Sequence, residues 1–204
     1  MNKLVIFSCL LLVLSSSIPE KKKKKFDAVI TFHTQFGDMK ALLYDDTPKH
    51  KENFIKLAEE GYYDSTTFHR VISGFMIQGG DPNSKDANPM NDGLGGPGYT
   101  IPAEIQHKHK KGALAAARKG DAVNPNRESS GSQFYIVHSE QGTQHLNGQY
   151  TVFGEVVSGL AIVDSIASVE MSRSSVPKQP IYMTIDVEWV KKKKITKEFN
   201  FSYE

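Results

Sequence analysis

From Asp27 the chain alternates with a period of two: Ala28, Ile30 and Phe32 fall on one face of an extended segment, and Val29, Thr31 and His33 on the other. A turn around Phe36-Gly37-Asp38 and a second apolar run at residues 39–43 make this a hairpin. The period then lengthens. Thr47 followed by Pro48 offers an N-cap and a proline at the first helical position, and Phe54, Leu57 and Ala58 recur at helical spacing until Gly61. Residues 68–81, FHRVISGFMIQGGD, predict two short strands around a Ser73-Gly74 turn. Further strands are predicted at 133–136, 151–157 and 181–190, and a helix at 160–167 with Ile162, Val163 and Ile166 inward. In the last strand Met183, Ile185, Val187 and Trp189 share a face. The tail, 195–204, carries alternating Phe199, Phe201 and Tyr203 and reads as disordered.

The strand pair at 68–81 carries an unusual cargo. A buried pair uses Val, Ile and Leu, whereas this one contributes Arg70, whose guanidinium must stay hydrated or hydrogen-bonded. Side-chain alternation sets Arg70 and Gln78 toward the same groove as Phe75 or Met76, a cation beside exposed aromatic and thioether groups. A surface arginine covering apolar area with its stem is the plainer reading of this stretch taken alone. A second stretch, SSGSQFYIV at 129–137, again follows a Gly/Ser turn with an amide and two aromatics; Gln133 and Tyr135 share one face, Phe134 and Ile136 the other.

These two strings, with LNGQYTVFGEVVSG after them, strongly resemble the cyclophilin family of peptidyl-prolyl cis-trans isomerases, over about residues 26–189. The resemblance implies an all-β fold, a closed eight-stranded antiparallel β-barrel capped by two α-helices. It implies acceleration of rotation about Xaa-Pro bonds with no cofactor. Arg70 is then the principal catalytic residue, and Gln78 positions it together with the substrate carbonyl. Phe75, Met76, Tyr135 and Leu146 hold the proline ring, Ala117 and Arg118 meet the residues before the proline, and Gln133, His145 and Tyr150 complete the groove. The sequence departs from the eukaryotic pattern at four places: Arg118 stands for asparagine, Tyr135 for phenylalanine, His145 for tryptophan and Tyr150 for histidine. Loss of the tryptophan's indole donor implies weak cyclosporin binding. The loop 119–130 is longer than in compact members and resembles bacterial-type variants. A non-catalytic peptide-binding module or holdase chaperone would use the same groove; the intact Arg70, Phe75, Met76 and Gln78 set favours the enzyme.

The 204 residues, 39% hydrophobic, suit one globular domain. Lys3, an apolar run at 4–14 and Ser15-Ser16-Ser17 predict a signal peptide at 1–17. A lysine-rich linker at 18–25, the isomerase domain at 26–190 and a basic then aromatic tail at 191–204 follow. The expected location is periplasmic or secreted, or at the membrane through an uncleaved signal. The apolar run is shorter than the roughly 20 residues of a membrane span. The single cysteine, Cys9, lies in that run, so the mature chain has no disulfide. Formal charge is segregated: 26–190 carries a net −6, residues 1–25 a net +5 and 191–204 a net +3. An acidic domain of this kind gives no reason to expect nucleic acid as a partner. The lysine runs at 21–25 and 191–194 would emerge at the same end of the fold and could meet an anionic membrane. The domain is expected to be a monomer acting on flexible proline-containing chains. The glycine-rich segment 83–98 leads into an extended stretch rather than a helix and reads as a loop, not a phosphate cradle. His107 and His109 read as solvated, with no acidic partner, and no spacing suggests a metal.

Overall fold

The computed structural model describes residues 25–86, 88–173 and 175–203; the signal peptide and most of the lysine linker predicted above lie outside them. β1 (Phe26–Thr34) and β2 (Gly37–Leu43) form the first hairpin, and α1 (Pro48–Glu59) follows. Three short strands, β3 (Thr66–Thr67), β4 (Arg70–Ile72) and β5 (Met76–Gly79), lead into β6 (Thr100–Ile101), β7 (Ala113–Ala116), β8 (Ser129–Ser130) and β9 (Phe134–Val137). After β10 (Val152–Ser158) come α2 (Leu160–Ala167), β11 (Met171–Arg173), β12 (Val176–Pro177), β13 (Tyr182–Lys191) and α3 (Lys192–Phe199).

Nine strands share one antiparallel sheet in the order β3, β13, β1, β2, β10, β7, β9, β5, β4, and β11–β12 and β6–β8 form two small ladders. The expected closed eight-stranded barrel is therefore corrected to a nine-stranded sheet whose ends, β3 and β4, do not pair. Between them, Phe68 N–H donates to Ile181 C=O, extending the β3–β13 pairing, and Val71 N–H of β4 donates to Ser175 C=O, so the outer edge of β4 meets that segment instead of β3.

One face of this sheet makes the main core. Ala28, Ile30 and Phe32 of β1 meet Val71, Ile77, Leu114, Phe134 and Ile136 from the other strands, with Phe54 and Leu57 of α1 and Val163 and Ile166 of α2 closing it. Phe54 and Phe134 sit edge to face at 5.5 Å, a favoured aromatic geometry. The opposite residues of the same strands, Met76, Ala113, Ala115, Tyr135, Val137 and Val152, form a second cluster on the other side. A period of two thus gives one set of strands two apolar faces, and the second one carries the site.

Thr47 occupies the predicted N-cap position, but its hydroxyl makes no cap hydrogen bond. Glu104 takes that role from a distant loop, accepting the Lys49 and His50 N–H groups at 3.2 and 3.1 Å and meeting His50 Nδ1 at 2.7 Å. The tail is a second correction. Residues 192–199 are a helix, and Ile195, fully buried, packs with Val29, Leu42 and Val190 while Phe199, Phe201 and Tyr203 cover the edge of that cluster. The predicted basic run is partly built in: Lys192 pairs with Asp45 at 2.7 Å and lies 4.3 Å over the Tyr203 ring. No helix among the described residues is long and apolar enough to cross a membrane.

Candidate active site

β4, β5, β9 and β7 set the site through register. Arg70 pairs with Gln78, Gln78 with Tyr135, and Tyr135 with Ala115, so these four residues form one row across four strands and point to the same side. The row ends at a cavity of about 190 Å³ lined by Arg70, Phe75, Met76, Gln78, Ala117, Arg118, Tyr135, Leu146 and Tyr150. Nine of the predicted site residues meet there. Met76 is not exposed as expected; it is 1% accessible and forms the apolar floor.

Two predicted residues fall outside the lining. Gln133 is buried one step behind it: its Oε1 accepts from Gln78 Nε2 at 3.1 Å, and its Nε2 donates to the carbonyls of Gly93 and Gly95 at 3.0 and 2.8 Å. It precedes β9 and faces the 93–95 loop, so it holds Gln78 instead of facing the cavity. His145 is exposed on a short 3-10 turn, Gln144–Leu146, and stacks on Phe75 at 5.7 Å. It flanks the aromatic wall from outside.

The two arginines differ. Arg70 is exposed, and its Nη1 donates to Gln78 Oε1 at 3.1 Å and approaches Met76 Sδ at 4.0 Å. Both partners are neutral, and among the described residues it makes no ion pair. The chain Gly93/Gly95 carbonyls to Gln133 to Gln78 to Arg70 orients the amide so that its oxygen faces the guanidinium. The Arg118 side chain, 3% exposed, is held at two of its nitrogens: Nε donates to Gln149 C=O at 2.9 Å, Nη1 to Lys119 C=O at 2.9 Å and to Asp121 Oδ1 at 2.6 Å. Its guanidinium lies 4.4 Å over the Tyr150 ring. Arg118 therefore shapes one wall of the cavity, with its Nε and Nη1 donors already used.

Sequence reasoning missed what lies under Tyr135. His109, read as solvated, is buried; its Nε2 lies 2.9 Å from the Tyr135 hydroxyl and its Nδ1 3.0 Å from Asn147 Oδ1. Burial pushes the Tyr135 hydroxyl well above its ordinary value and His109 below its own. The available signal was the hydroxyl added at position 135, which demands a partner. His107 was misread too: it meets Asp46 Oδ1 at 2.8 Å and packs on Tyr44 at 4.1 Å. Among the described residues no group of three or more His, Cys, Asp or Glu side chains could hold a metal.

The family described as "Cyclophilin type peptidyl-prolyl cis-trans isomerase/CLD" matches residues 29–187. Among curated proteins, the chain is 42% identical to peptidyl-prolyl cis-trans isomerase CYP18-1 of Arabidopsis thaliana over 66% of this chain and 79% of that protein. It is 38% identical to a peptidyl-prolyl cis-trans isomerase of Helicobacter pylori over 73% of this chain and 86% of that one. A crystal structure of a Cryptosporidium parvum cyclophilin-type isomerase superposes with a TM-score of 0.69 at 32% identity, covering 80% of this chain and 98% of its own. A second structure of that protein, determined in the presence of the dipeptide Ala-Pro, gives 0.68 at 30%, covering 78% of this chain and 98% of its own.

Proposed function

The chain belongs to the cyclophilin-type family and is a peptidyl-prolyl cis-trans isomerase, and we propose that Arg70 carries the catalysis while the cavity beside it takes the proline. The amide barrier to be lowered is about 18–20 kcal/mol, and it comes from resonance. Twisting the bond removes conjugation and localises a lone pair on the proline nitrogen. A donor aimed at that nitrogen therefore stabilises the twisted amide more than either planar one. The observation that carries the assignment is Arg70's setting: a cation at the rim of an apolar cavity, held by a neutral amide, with N–H groups left for a substrate.

Phe75, Met76, Tyr135 and Leu146 supply an apolar seat for the ring, and burying it there orients the bond to be turned. Gln78 holds the guanidinium through Oε1, and Gln133 holds Gln78. Ala117 and Arg118 form the wall on which the residues before the proline would lie, and Tyr150 closes it. No covalent step or proton transfer is needed.

The test is the cis-to-trans relaxation of an Ala-Pro-Phe type peptide with wild type and Arg70→Ala. Acceleration that is lost in a variant with an unchanged fold supports the assignment. A folded wild type with no acceleration would instead make the groove a peptide-binding module or holdase.

The same reading extends to setting. The apolar run at 4–14 supports export, with folding of exported polypeptides as the task; detection of the protein only in the cytoplasm would end that view. Lys25 and Lys192 are hydrogen-bonded through their backbones, which supports a shared basic end with Lys191, Lys193 and Lys194 exposed there. Failure of anionic vesicles to retain the protein at low salt would reduce those lysines to a solubility role. His145, in place of tryptophan, supports weak cyclosporin inhibition, which an inhibition titration reads directly.

A further inference from the structure

Tyr135 presents a hydroxyl to a site that needs an apolar wall, and the fold deals with it in a definite way. His109 is 1% exposed. Asn147 Oδ1 accepts the His109 backbone N–H at 2.8 Å and lies 3.0 Å from Nδ1 of the same residue. An amide oxygen only accepts, so Nδ1 carries the ring hydrogen, and in the neutral ring Nε2 is then the acceptor. The Tyr135 hydroxyl, 2.9 Å from Nε2, is the donor. The two rings lie within 9° of parallel, with centroids 6.0 Å apart. Tyr150, which lines the cavity beside Tyr135, stands edge-on to both, at 82° to Tyr135 and 90° to His109.

We propose that His109, fixed by Asn147, is a positioning residue of this isomerase: by accepting the Tyr135 O–H it turns the hydroxyl out of the proline cavity and leaves the substrate an apolar ring face. The inference rests on the reading of that cavity as the proline seat. Its logic is one of satisfaction. A buried hydroxyl without a partner is costly, so when its acceptor is removed it recruits water or turns toward the cavity. Either change penalises the entry of a proline ring, while Arg70, held by Gln78 and not by His109, still meets the nitrogen of whatever binds. The burden therefore falls on KM. Burial, which lowers the His109 proton affinity, keeps the ring in the neutral accepting form.

The experiment is a double-substitution cycle read in peptide isomerisation and, separately, in the dissociation constant of a Xaa-Pro peptide. His109→Leu is expected to raise KM about tenfold with kcat within about twofold. His109→Gln, whose amide oxygen can accept, is expected to recover most of that loss. In a Tyr135→Phe background, with no hydroxyl to hold, adding His109→Leu is expected to change KM by less than about twofold. A tenfold loss that persists in that background overturns the proposal, because His109 would then be only a packing residue. So does a loss confined to kcat. Nitrogen NMR of the His109 ring in the wild-type protein gives an independent readout: a hydrogen found on Nε2 at neutral pH also overturns it. Failure of the isomerase reading shows differently, as a folded wild type that does not accelerate relaxation. The same cycle read in peptide dissociation then decides the role of His109.

Discussion

Arg70 at the rim of the groove and Lys51 beneath the tail are both cations projecting from regular elements, but their surroundings differ in sign. Lys51 Nζ meets Asp27 Oδ1 at 2.8 Å and Asp45 Oδ1 at 2.6 Å and also donates to Leu43 C=O at 3.0 Å; Lys192 reaches the other oxygen of Asp45. The Lys51 and Asp27 side chains are 12% and 3% exposed. Arg70 has an amide oxygen and a thioether. A cation matched by carboxylates in a poorly solvated place is fixed as structure, since removing one partner strands the other. A cation held only by neutral oriented groups keeps its charge available to a guest. Arg118 shows that position alone does not decide: it lines the cavity, yet Asp121 and two carbonyls use its donors.

The contrast is broken most forcefully at Lys51. Lys51→Met leaves Asp27 buried without its partner and is expected to cost about 3–5 kcal/mol in chemical denaturation, with isomerase activity of the folded fraction unchanged. A loss below about 1 kcal/mol would mean the tail cations are no more structural than Arg70. Arg70→Ala is expected to do the reverse. It should lower kcat/KM by about 10²–10³-fold, the worth of one oriented donor to a developing charge, and move stability by no more than about 0.5 kcal/mol. Gln78→Leu frees the guanidinium from its orienting oxygen, and roughly a tenfold fall in kcat/KM should follow at nearly constant stability.

Acid separates the two regions by another route. Burial depresses the proton affinity of His50, His69 and His109 below the ordinary 6.5. The unfolded chain then binds more protons than the native one below that pH, so these groups leave stability intact above about 6.5 and erode it as pH falls beneath. His33, raised by its hydrogen bond to Asp38, acts in the opposite direction from an exposed position and so acts weakly. Thermal melts from pH 7.5 to 5.5 should fall monotonically. Amide exchange should show the Tyr135 strand, which packs on His109, loosening before the tail. The smallest effect belongs to Lys192→Ala: its partner Asp45 is half exposed, and a cost under about 1 kcal/mol without change in kcat/KM is expected from the denaturation midpoint.

Legibility in the sequence followed the range of the forces involved. The Arg70–Gln78 pairing was readable because a two-residue period on either side of Ser73-Gly74 sets it locally. Phe75, Met76 and Tyr135 were readable from the same alternation, whereas Ala117, Arg118, Leu146 and Tyr150 of the lining were named only by the family likeness. The two-residue β3 has no period to detect, so the ninth strand and the unpaired seam were not readable. Glu104 caps a helix that begins more than 50 residues earlier, which no local rule reveals. The tail, with its alternating aromatics, reads as disordered from the sequence. Its helix exists because Ile195 finds Val29, Leu42 and Val190 assembled beneath it, a tertiary decision over a weak local preference. His109 belongs to the same class: only the fold brings it to Tyr135.

The pairing of β1 with β13, Phe26 opposite Lys191 through Thr34 opposite Met183, has a further consequence in time. β13 sits between β1 and β3 in the sheet, so until it is available β1 has a bare edge and β3 has no neighbour at all. A chain leaving the ribosome from its amino end therefore carries β1 unpaired on one side until residues 182–191 have emerged. Contacts that join such distant segments also set a slow folding rate. The sheet cannot complete itself strand by strand; it finishes in one late step, when β13 reaches β1.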